Sequence, residues 1–384
     1  MPHAVIKTRT PIIALDNKNV FFSKRFQLFI APISVKCEDF VVRVYQKRSK
    51  IVVKLDKTTY PFITDDVKSA ILGFAEYLAN KLNGGIVSHN LNRTYKDCVF
   101  VGNYLLDVRS INEMGVNNLL KSNRVRLEVG MGRGEFLLET AKSNPEVEFI
   151  GVEIANEPLL KAAFRFAKEG LSNVKVIKHD ARYIFDLFDA NSVECVYVNF
   201  PEPWFKFKKI KHTLLNMDTL KKIERVLKKG GNIELLTDNL AYAVSVVTAL
   251  ETHTTLKNAQ NRCIDIFKGS VDTYFERRWK RRERTIYRVI YEKTVESEAG
   301  EIDKMAFPLK VKQNYVLKNG LIFKILDVFE NSSDQRIVEV TFGRSINPQH
   351  SYFGLTNTDE LFLIPQSIFI ADEDALKSLE LATI

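Results

Sequence analysis

Three glycines at alternate positions, Gly130, Gly132 and Gly134, constrain the fold of this chain more than any other feature of its sequence. They follow a short apolar run at 125–129 and lead into a helical pattern that begins at Glu135. Glycine accepts positive φ and has no Cβ to block a ligand, and a helix start offers unpaired N–H groups. The pattern therefore predicts a strand, a tight turn and a helix N-terminus that bind a nucleotide-like cofactor.

Apolar strand patterns alternate with helical patterns between about residues 125 and 293, which is typical of a parallel α/β sheet with helices on both faces. Strands are predicted at 125–129, 149–152, 174–177, 193–198, 233–236 and 285–292. Helices are predicted near 135–143, 157–168, 183–187 and 218–227. Gly230 and Gly231 are interpreted as the end of the last of these helices.

The patterns divide the chain into three regions. Residues 1–115 are predicted to be an N-terminal α+β extension, with a basic-tipped hairpin at 40–55 and a helix from Asp65 or Asp66 to about Lys81. Residues 116–295 form the predicted cofactor-binding domain. After an acidic, polar bridge at 296–301, residues 303–384 are predicted to be a small all-β appendage, with a hairpin that turns at Asn319 and Gly320.

Composition narrows the possible functions. The net charge of +9 favours a polyanionic partner. No apolar run approaches the roughly 20 residues of a membrane helix, and the first residues lack the pattern of a signal peptide, so a cytoplasmic protein is expected. The histidines show no ligand spacing and the four cysteines lie far apart, which predicts no metal centre; the cysteines are Cys37, Cys98, Cys195 and Cys263. Monomer and homodimer both remain open.

Polar residues follow the predicted strands at the edge where parallel sheets bind ligands. Glu128 precedes the glycine loop, Glu153 follows the second strand, Asp180 and Ala181 follow the third, and Asn199 ends the fourth. An acid about 20 residues beyond the loop also fits a dinucleotide enzyme. However, G-x-G-x-G is not the dinucleotide pattern G-x-G-x-x-G, and the acid beside the loop would repel a pyrophosphate.

The cationic sulfonium and ammonium groups of S-adenosylmethionine suit an acidic residue beside the loop. S-adenosylmethionine is therefore the predicted cofactor, and a dehydrogenase is disfavoured. The alternative is that the glycines only form a turn, but acids after three successive strands argue against it.

The fourth strand is followed by Asn-Phe-Pro-Glu-Pro-Trp-Phe-Lys at residues 199–206. Two prolines stiffen this loop, which presents the carboxylate of Glu202 beside Trp204. Lysines at 206, 208, 209 and 211 surround the carboxylate with positive charge, as expected where a nucleobase is held and its phosphates are neutralised. A solvated charge run beside a structural Trp is the alternative.

In order and spacing, these motifs resemble the bacterial tRNA (guanine-N7)-methyltransferases, which act on a guanosine of the variable loop. The matching motifs lie between about residues 120 and 293 and are Leu-Glu-Val-Gly-x-Gly-x-Gly-Glu-Phe, Phe-Ile-Gly-Val-Glu, Asp-Ala, Asn-Phe-Pro-Glu-Pro-Trp, Leu-Lys-Lys-Gly-Gly, Thr-Asp and Thr-Tyr-Phe-Glu. The resemblance implies a Rossmann-like class I methyltransferase that uses S-adenosylmethionine and tRNA and produces 7-methylguanosine.

The resemblance also implies roles for individual residues. Glu128, Glu153 and Asp180 would hold S-adenosylmethionine, and Glu202 would lie where the cofactor meets the base. The residues implied to hold the target nucleotide are Lys206, Asp238, Thr273, Tyr274, Phe275 and Glu276. The family usually has Asp where this chain has Glu202, and the segment after Trp204 is rich in Lys rather than in Arg and His, which leaves the details of the RNA contacts open.

A second basic stretch, residues 277–284, directly follows the Thr-Tyr-Phe-Glu motif and is predicted to contact phosphates. A strand edge protected by charge is the alternative interpretation. Two further classes of protein stay open for the chain as a whole. One is an S-adenosylmethionine enzyme with another acceptor, and the other is a tRNA-binding protein that has lost catalysis.

Overall fold

The computed structural model describes residues 1–11, 18–23, 25, 28–35, 38–59, 61–92, 102–202, 213–269, 273–298 and 306–384. Its contacts divide the chain into two compact units. Unit 1 combines Met1–Gly102 with Asp303–Ile384, and unit 2 is Asn103–Ile302. The chain therefore leaves unit 1, forms all of unit 2 and returns to unit 1.

The N-terminal part of unit 1 is an antiparallel sheet with one helix. The elements are β1 (His3–Lys7), β2 (Phe21–Ser23), β3 (Leu28–Val35), β4 (Glu38–Lys47), β5 (Lys50–Leu55), α1 (Asp65–Lys81) and β6 (Gly85–His89). Thr64 caps α1 by accepting a hydrogen bond from Val67 N, as expected of a Thr at this position. The predicted hairpin and the predicted helix are both confirmed.

Unit 2 alternates strands and helices. Its elements are α2 (Val108–Met114), β7 (Val125–Val129), α3 (Glu135–Ser143), β8 (Glu148–Val152), α4 (Asn156–Lys168), β9 (Val174–Ile177), α5 (Ala181–Ile184), β10 (Val193–Asn199), α6 (Met217–Val226), β11 (Leu227–Thr237), α7 (Leu240–His253), β12 (Lys257–Asn258), β13 (Asp265–Ile266), α8 (Tyr274–Lys280) and β14 (Tyr287–Glu292).

The sheet of unit 2 has the strand order β12-β14-β11-β10-β7-β8-β9, with β13 also paired to β14. Strands β7 to β11 are parallel, and β14 runs antiparallel to β11. The predicted parallel α/β sheet is confirmed. The chain reverses its direction across the sheet at β7, which pairs with both β8 and β10, and ligands bind at such switch points.

The interpretation of Gly230 and Gly231 as a helix end is wrong. Helix α6 ends at Val226, and both glycines lie within β11. Gly231 is required there because a Cβ would lie 2.8 Å from the carbonyl oxygen of Glu194 on the neighbouring strand. Gly230 has φ of +79° and donates its N–H to Lys293 O, so the two glycines serve a close strand contact.

The C-terminal part of unit 1 is rich in strands but not all-β. Its elements are β15 (Leu309–Lys310), β16 (Tyr315–Lys318), β17 (Leu321–Glu330), β18 (Arg336–Arg344), β19 (Gln349–Leu355), β20 (Glu360–Phe362) and α9 (Glu373–Leu381). The hairpin predicted around Asn319 and Gly320 is confirmed by β16 and β17. Helix α9 was not predicted; its apolar residues Ala375 and Leu379 are buried in the core of this part.

The two ends of the chain share one sheet. Strand β17 pairs with β2, which joins the terminal segments into twelve strands in the order β15-β20-β19-β18-β17-β2-β3-β4-β5-β1-β6, with β16 on β17. The structure thus differs from the three regions expected from sequence. The boundary at 115 differs as well, because residues 104–106 hydrogen-bond with Val176 of β9 and so belong to unit 2.

A polar network reinforces this joint between the terminal segments. Arg43 of β4 is paired with Asp56 and donates to Glu339 Oε1 at 2.6 Å and to the Tyr352 hydroxyl at 2.7 Å. The Tyr352 hydroxyl in turn donates to Asp56 Oδ2 at 2.8 Å. Burial alone would raise the pKa of Asp56, but Arg43 holds that pKa below its usual value. The network therefore depends on one guanidinium.

Across the described ranges, no helix is long and apolar enough to span a membrane. The same ranges contain no group of three or more His, Cys, Asp or Glu side chains that could hold a metal ion.

Substitution Arg43→Met is expected to lower the free energy of unfolding of unit 1 by about 3 kcal/mol, because it leaves buried carboxylates without a cation. The exposed Arg9 provides the control variant Arg9→Met. Both tryptophans, Trp204 and Trp279, belong to unit 2, so tryptophan fluorescence monitors unit 2 and far-ultraviolet circular dichroism monitors both units. A urea transition in the dichroism that does not shift in Arg43→Met would contradict the role of the network.

Candidate active site

The carboxyl ends of β7, β8, β9, β10 and β11 meet at one edge of the unit 2 sheet, since these strands are parallel. The acidic or amide residues predicted to bind a cofactor all lie at this edge. They are Glu128, Glu153, Asp180 and Asn199, and Asp238 follows β11. The sheet therefore brings together side chains from positions more than 100 residues apart.

The glycine loop is held against β8. Gly130 N and Met131 N donate to the carbonyl oxygen of Val152 at 2.8 and 3.1 Å. Gly130 and Gly132 have φ of +74° and +56°, and a Cβ at either position would meet no heavy atom within 4 Å. Glycine is thus required there by the backbone conformation, and the space beside it is open to a ligand.

Gly134 differs from the other two glycines. It also has positive φ, +66°, but a Cβ at this position would lie 2.6 Å from Phe166 Cζ and 2.8 Å from Ala162 Cβ. Both of these residues belong to α4. Close packing of α3 on α4 therefore accounts for the third glycine, whereas the sequence assigned it to the cofactor.

Glu153 connects the glycine loop to the end of β8. Its carboxylate accepts hydrogen bonds from Gly132 N at 3.1 Å and from Ala155 N at 2.7 Å. Burial raises the pKa of this carboxyl above its usual value; the backbone hydrogen bonds oppose that shift, and the charge of Glu202 adds to it. Glu153 and Glu202 thus lie close enough to affect each other electrostatically.

Glu128 and Asn199 form a buried polar pair between β7 and β10. Asn199 Nδ2 donates to Glu128 Oε1 at 2.9 Å, and the two residues are only 2% and 9% exposed. Glu128 Oε2 and Asn199 Oδ1 are buried with no hydrogen-bond partner within the ranges that the structure describes. Since unsatisfied buried acceptors are costly, the pair fits a ligand that brings donors to this position. The ammonium group of S-adenosylmethionine is such a donor.

Asp180 is bound to its own helix. It caps α5, which begins at Ala181, by accepting from Arg182 N at 3.0 Å, and it accepts from Arg182 Nε at 3.0 Å and Nη2 at 2.5 Å. Burial opposes the charge of Asp180, but Arg182 holds its pKa below the usual value. The ion pair with Arg182 therefore fixes this carboxylate in position at the sheet edge.

The loop after β10 leaves the sheet through a constrained residue. Phe200 has φ of +53° and donates its N–H to Leu236 O at 2.8 Å. An aromatic residue in this left-handed region costs roughly 1 kcal/mol or more, so the turn is imposed by its surroundings. It leads to Pro201 and to the exposed carboxylate of Glu202. Trp204 and Lys206 lie outside the described residues.

The Thr-Tyr-Phe-Glu motif forms the N-terminus of α8. Thr273 caps the helix by accepting from Glu276 N at 3.1 Å. Tyr274 and Phe275 are each 42% exposed and touch edge to face. Glu276 is buried and forms an ion pair with Lys280 at 2.6 Å. The motif therefore presents two aromatic rings to solvent and keeps its carboxylate inside.

Asp238, which the sequence assigned to the target nucleotide together with Glu276, is likewise paired with a cation. Its carboxylate forms an ion pair with Arg284. Both acids thus have a basic partner within α8 or just after it.

Glu135, which sequence reasoning did not select, ties α8 to the glycine loop. Its carboxylate accepts from Tyr274 N at 2.5 Å and from Arg277 Nη2 at 3.1 Å, and it lies 3.3 Å from Arg165 Nη1. Next to it, the Arg133 guanidinium lies 5.6 Å from the centre of the Tyr274 ring. The sequence does show an acid directly after the third glycine. This position alone does not indicate a contact with α8, because acids are common in the first turn of any helix.

Comparison with known proteins agrees with this geometry. A family model described as "Putative methyltransferase" matches residues 122–289. Three relatives named tRNA (guanine-N(7)-)-methyltransferase are similar to this chain. The protein of Thermotoga maritima is 34% identical over 175 residues, which are 44% of this chain and 54% of that protein. The chain thus covers about half the length of this relative.

The relative from Aquifex aeolicus is 30% identical over 249 residues, which are 58% of this chain and 80% of that protein. The relative from Campylobacter jejuni (strain 81-176) is 25% identical over 373 residues, which are 92% of this chain and 90% of that protein. This last match extends over both units of the chain.

The strand order, the open glycine loop and the acidic sheet edge define a Rossmann-like class I methyltransferase that depends on S-adenosylmethionine. The similarity to the Aquifex relative identifies the family within this class, because this chain is 30% identical to it and covers 80% of its length. The chain belongs to the tRNA (guanine-N(7)-)-methyltransferase family.

The ligand-free protein should lose stability as pH rises through the titration of Glu128. Burial raises the pKa of this carboxyl from the usual 4.5 to about 8, so between these values the folded state holds a proton that the unfolded state has lost. The free energy of unfolding should therefore fall with rising pH across this window, by up to about 1.4 kcal/mol per pH unit. Urea unfolding at a series of pH values measures it. Glu128→Gln should remove this contribution, and an equal slope in wild type and variant would contradict it.

Glu135→Ala should loosen the first turn of α8, because the turn loses its charged acceptor. Loss of a hydrogen bond to a charged group corresponds to roughly tenfold faster opening or more. Hydrogen–deuterium exchange of the peptide covering 273–280 measures this effect. Glu139→Ala, at an exposed position of the same helix α3, is the control. Equal exchange in both variants would show that Glu135 does not hold α8.

Proposed function

We propose that this protein transfers the methyl group of S-adenosylmethionine to N7 of a guanosine in the tRNA variable loop, forming 7-methylguanosine. The observation that carries the proposal is the hydrogen bonding of Glu135, which places the Thr-Tyr-Phe-Glu helix directly beside the open glycine loop. One sheet edge thus combines a cradle for the donor with exposed aromatic rings that a flipped base can stack on. With tRNA as substrate, we expect the protein in the cytoplasm.

In this proposal the sheet edge holds the cofactor. The open sides of Gly130 and Gly132 receive it, and Glu128 and Asn199 accept from its ammonium group, whose positive charge favours the ionised form of the Glu128 carboxyl. Glu153 is proposed to accept from the ribose hydroxyls; its hydrogen bonds to backbone N–H groups leave acceptor capacity free, because a carboxylate has about four acceptor positions. Asp180 and Ala181 are proposed to contact the adenine ring. S-adenosylmethionine supplies an electrophilic methyl group on a positively charged sulfur.

The chemistry needs alignment rather than proton transfer. Guanine N7 carries its lone pair in the ring plane and has no proton to lose, so no general base is required. Holding N7 in line with the methyl group and the departing sulfur at contact distance can contribute several kcal/mol. The purine becomes cationic as the bond forms. We assign Glu202 the role of stabilising that charge, because its exposed carboxylate lies near Glu153 at the sheet edge.

Recognition of guanine is assigned to acidic groups at the same edge. The N1–H and amino group of guanine are donors that match carboxylates, and Asp238 and Glu276 are the proposed acceptors. Each of them is paired with Arg284 or Lys280 in the structure. An ionised carboxylate can only accept hydrogen bonds, so we propose that bases with acceptors facing these carboxylates are rejected, while guanine shares the carboxylates with the cations. Lys206 is proposed to contact the nucleotide's phosphate.

The basic stretch after the motif supports an RNA substrate. Trp279 of α8 has three guanidinium groups over its ring, those of Arg278, Arg282 and Arg284, at 5.2, 5.6 and 4.3 Å from the ring centre. The ring restrains these side chains, and the first two lack an acidic partner in the ranges that the structure describes. Such a group of cations is suited to phosphates.

Two other functions remain as alternatives. An S-adenosylmethionine enzyme with a small acceptor would have no use for the exposed Tyr274 and Phe275 beside a basic stretch. A tRNA-binding protein without catalysis would not need the buried Glu128 and Asn199 or the open glycine loop. The geometry therefore favours a methyltransferase that acts on tRNA over both alternatives.

Incubation of the full chain with unmodified tRNA and S-adenosylmethionine labelled on the methyl group tests the proposal. Digestion of the tRNA to nucleosides should then give labelled 7-methylguanosine. Label in a different nucleoside would show that the acceptor is not guanine N7. Label found only in protein or in small molecules would show that tRNA is not the substrate.

Glu202→Gln should lower kcat by roughly 10- to 100-fold, since it removes the charge that stabilises the cationic purine. Calorimetry should show unchanged affinity for S-adenosylmethionine. Glu139→Gln on the exposed side of α3 is the control and should keep full kcat. Full turnover in Glu202→Gln would refute the proposed role, and loss of cofactor affinity would reassign the residue to the cofactor cradle.

A further inference from the structure

Starting at the hairpin formed by β16 and β17, side chains from four neighbouring strands of unit 1 lie in one row across the sheet. Tyr315 is paired with Lys324, Lys324 with Thr341, and Thr341 with His350, so one residue from each of β16, β17, β18 and β19 lies in a line across the sheet. Directly opposed residues of antiparallel strands project to the same face. The opposite face, with Phe323 and its neighbours, is packed in the core.

Tyr315 and Lys324, at one end of the row, are exposed, whereas Thr341 towards the other end is buried. Tyr315 is 54% exposed, and Lys324 Nζ lies 5.9 Å from the centre of its ring. Thr341 Oγ1 is hydrogen-bonded to His350 Nδ1 at 2.8 Å. Leu317, two residues from Tyr315 and therefore on the same face, is 56% exposed. We call these five side chains the hairpin surface.

The chain segment that contains the hairpin carries charge of one sign. Residues 309–326 contain four lysines and no acidic residue, and the lysines are Lys310, Lys312, Lys318 and Lys324. All four are exposed. Within the described part of the chain, none of them lies within 4.0 Å of a carboxylate oxygen. None of these four lysines is therefore held in an ion pair within the described part of unit 1.

We propose that the hairpin surface is a second RNA contact of this protein, at which Tyr315 stacks on an unpaired base of the tRNA substrate and the lysines contact the flanking phosphates. This inference rests on the proposed function, because it takes tRNA as the ligand. It gives unit 1 a part in substrate binding that is separate from the sheet edge of unit 2.

RNA fits the hairpin surface better than a protein partner does. An exposed aromatic ring on a sheet offers a stacking platform for any base, and unpaired lysines release counterions when they meet phosphates. Lysine, in contrast, is depleted in protein–protein interfaces. An apolar face alone would suit a protein, but here a cation lies over the exposed ring, and the surrounding segment 309–326 carries four exposed lysines.

The test uses the full chain and an unmodified tRNA transcript without methyl donor, with the dissociation constant measured over a range of salt concentrations. Tyr315→Ala should weaken binding by roughly tenfold, and Tyr315→Phe should restore it, since stacking needs only the ring. The double variant Lys318→Gln/Lys324→Gln should reduce the slope of log Kd against log salt by about 1.5. The double variant Lys57→Gln/Lys377→Gln removes the same charge from other exposed positions of unit 1 and is the control.

The outcomes separate this inference from the proposed function. Equal tRNA affinity and equal salt slope in the hairpin variants and the control overturn the RNA contact, even if wild type forms 7-methylguanosine. If the hairpin variants lose affinity but wild type forms no 7-methylguanosine, the RNA contact stands and the proposed reaction fails. Concentration-dependent self-association that disappears in Tyr315→Ala, with unchanged tRNA affinity, would assign the surface to a second copy of the chain.

Discussion

The parallel register of β7 to β11 is the constraint on which the site depends. Because these strands run in the same direction, each one ends at the same edge, and the residue that follows each strand reaches the same space. Glu153 connects two of these strand ends. It follows β8, and its carboxylate accepts a hydrogen bond from the glycine loop that follows β7. Glu128 and Asn199 are buried beside this space and hydrogen-bonded to each other. One acceptor oxygen of each side chain still has no partner in the described ranges.

The sequence was sufficient for the features that depend on local chemistry. Periodicity predicted the bounds of β7, β9 and α3, and the glycine spacing with Glu128 and Glu153 led to the sheet edge. What a side chain meets across the fold was not predictable. Gly134 serves the packing of α3 on α4, because its close neighbours come from another element. The bond between Asp180 and Arg182 is local, but a sequence pattern does not show whether an arginine side chain turns back to the cap of its own helix.

Glu135 and the twelve-stranded sheet show the same limit at longer range. An acid after a glycine loop indicates a helix start whether or not it also binds another helix, so its contact with Tyr274 and Arg277 left no signal in the sequence. The pairing of β17 with β2 joins segments about 300 residues apart in the chain. Strand patterns predict that partners exist but not which strands they are.

The discontinuity of unit 1 has a consequence for how the chain is made. A ribosome delivers β2, with its apolar Phe21 and Phe22, long before β17, and all of unit 2 emerges in between. Domains generally fold as they are synthesised, so the enzymatic unit can be complete while the first strands still have an open edge. Open edges pair with other chains. The open edge of β2 in the newly made protein is therefore closed only when the last 80 or so residues, which contain β17, have been synthesised.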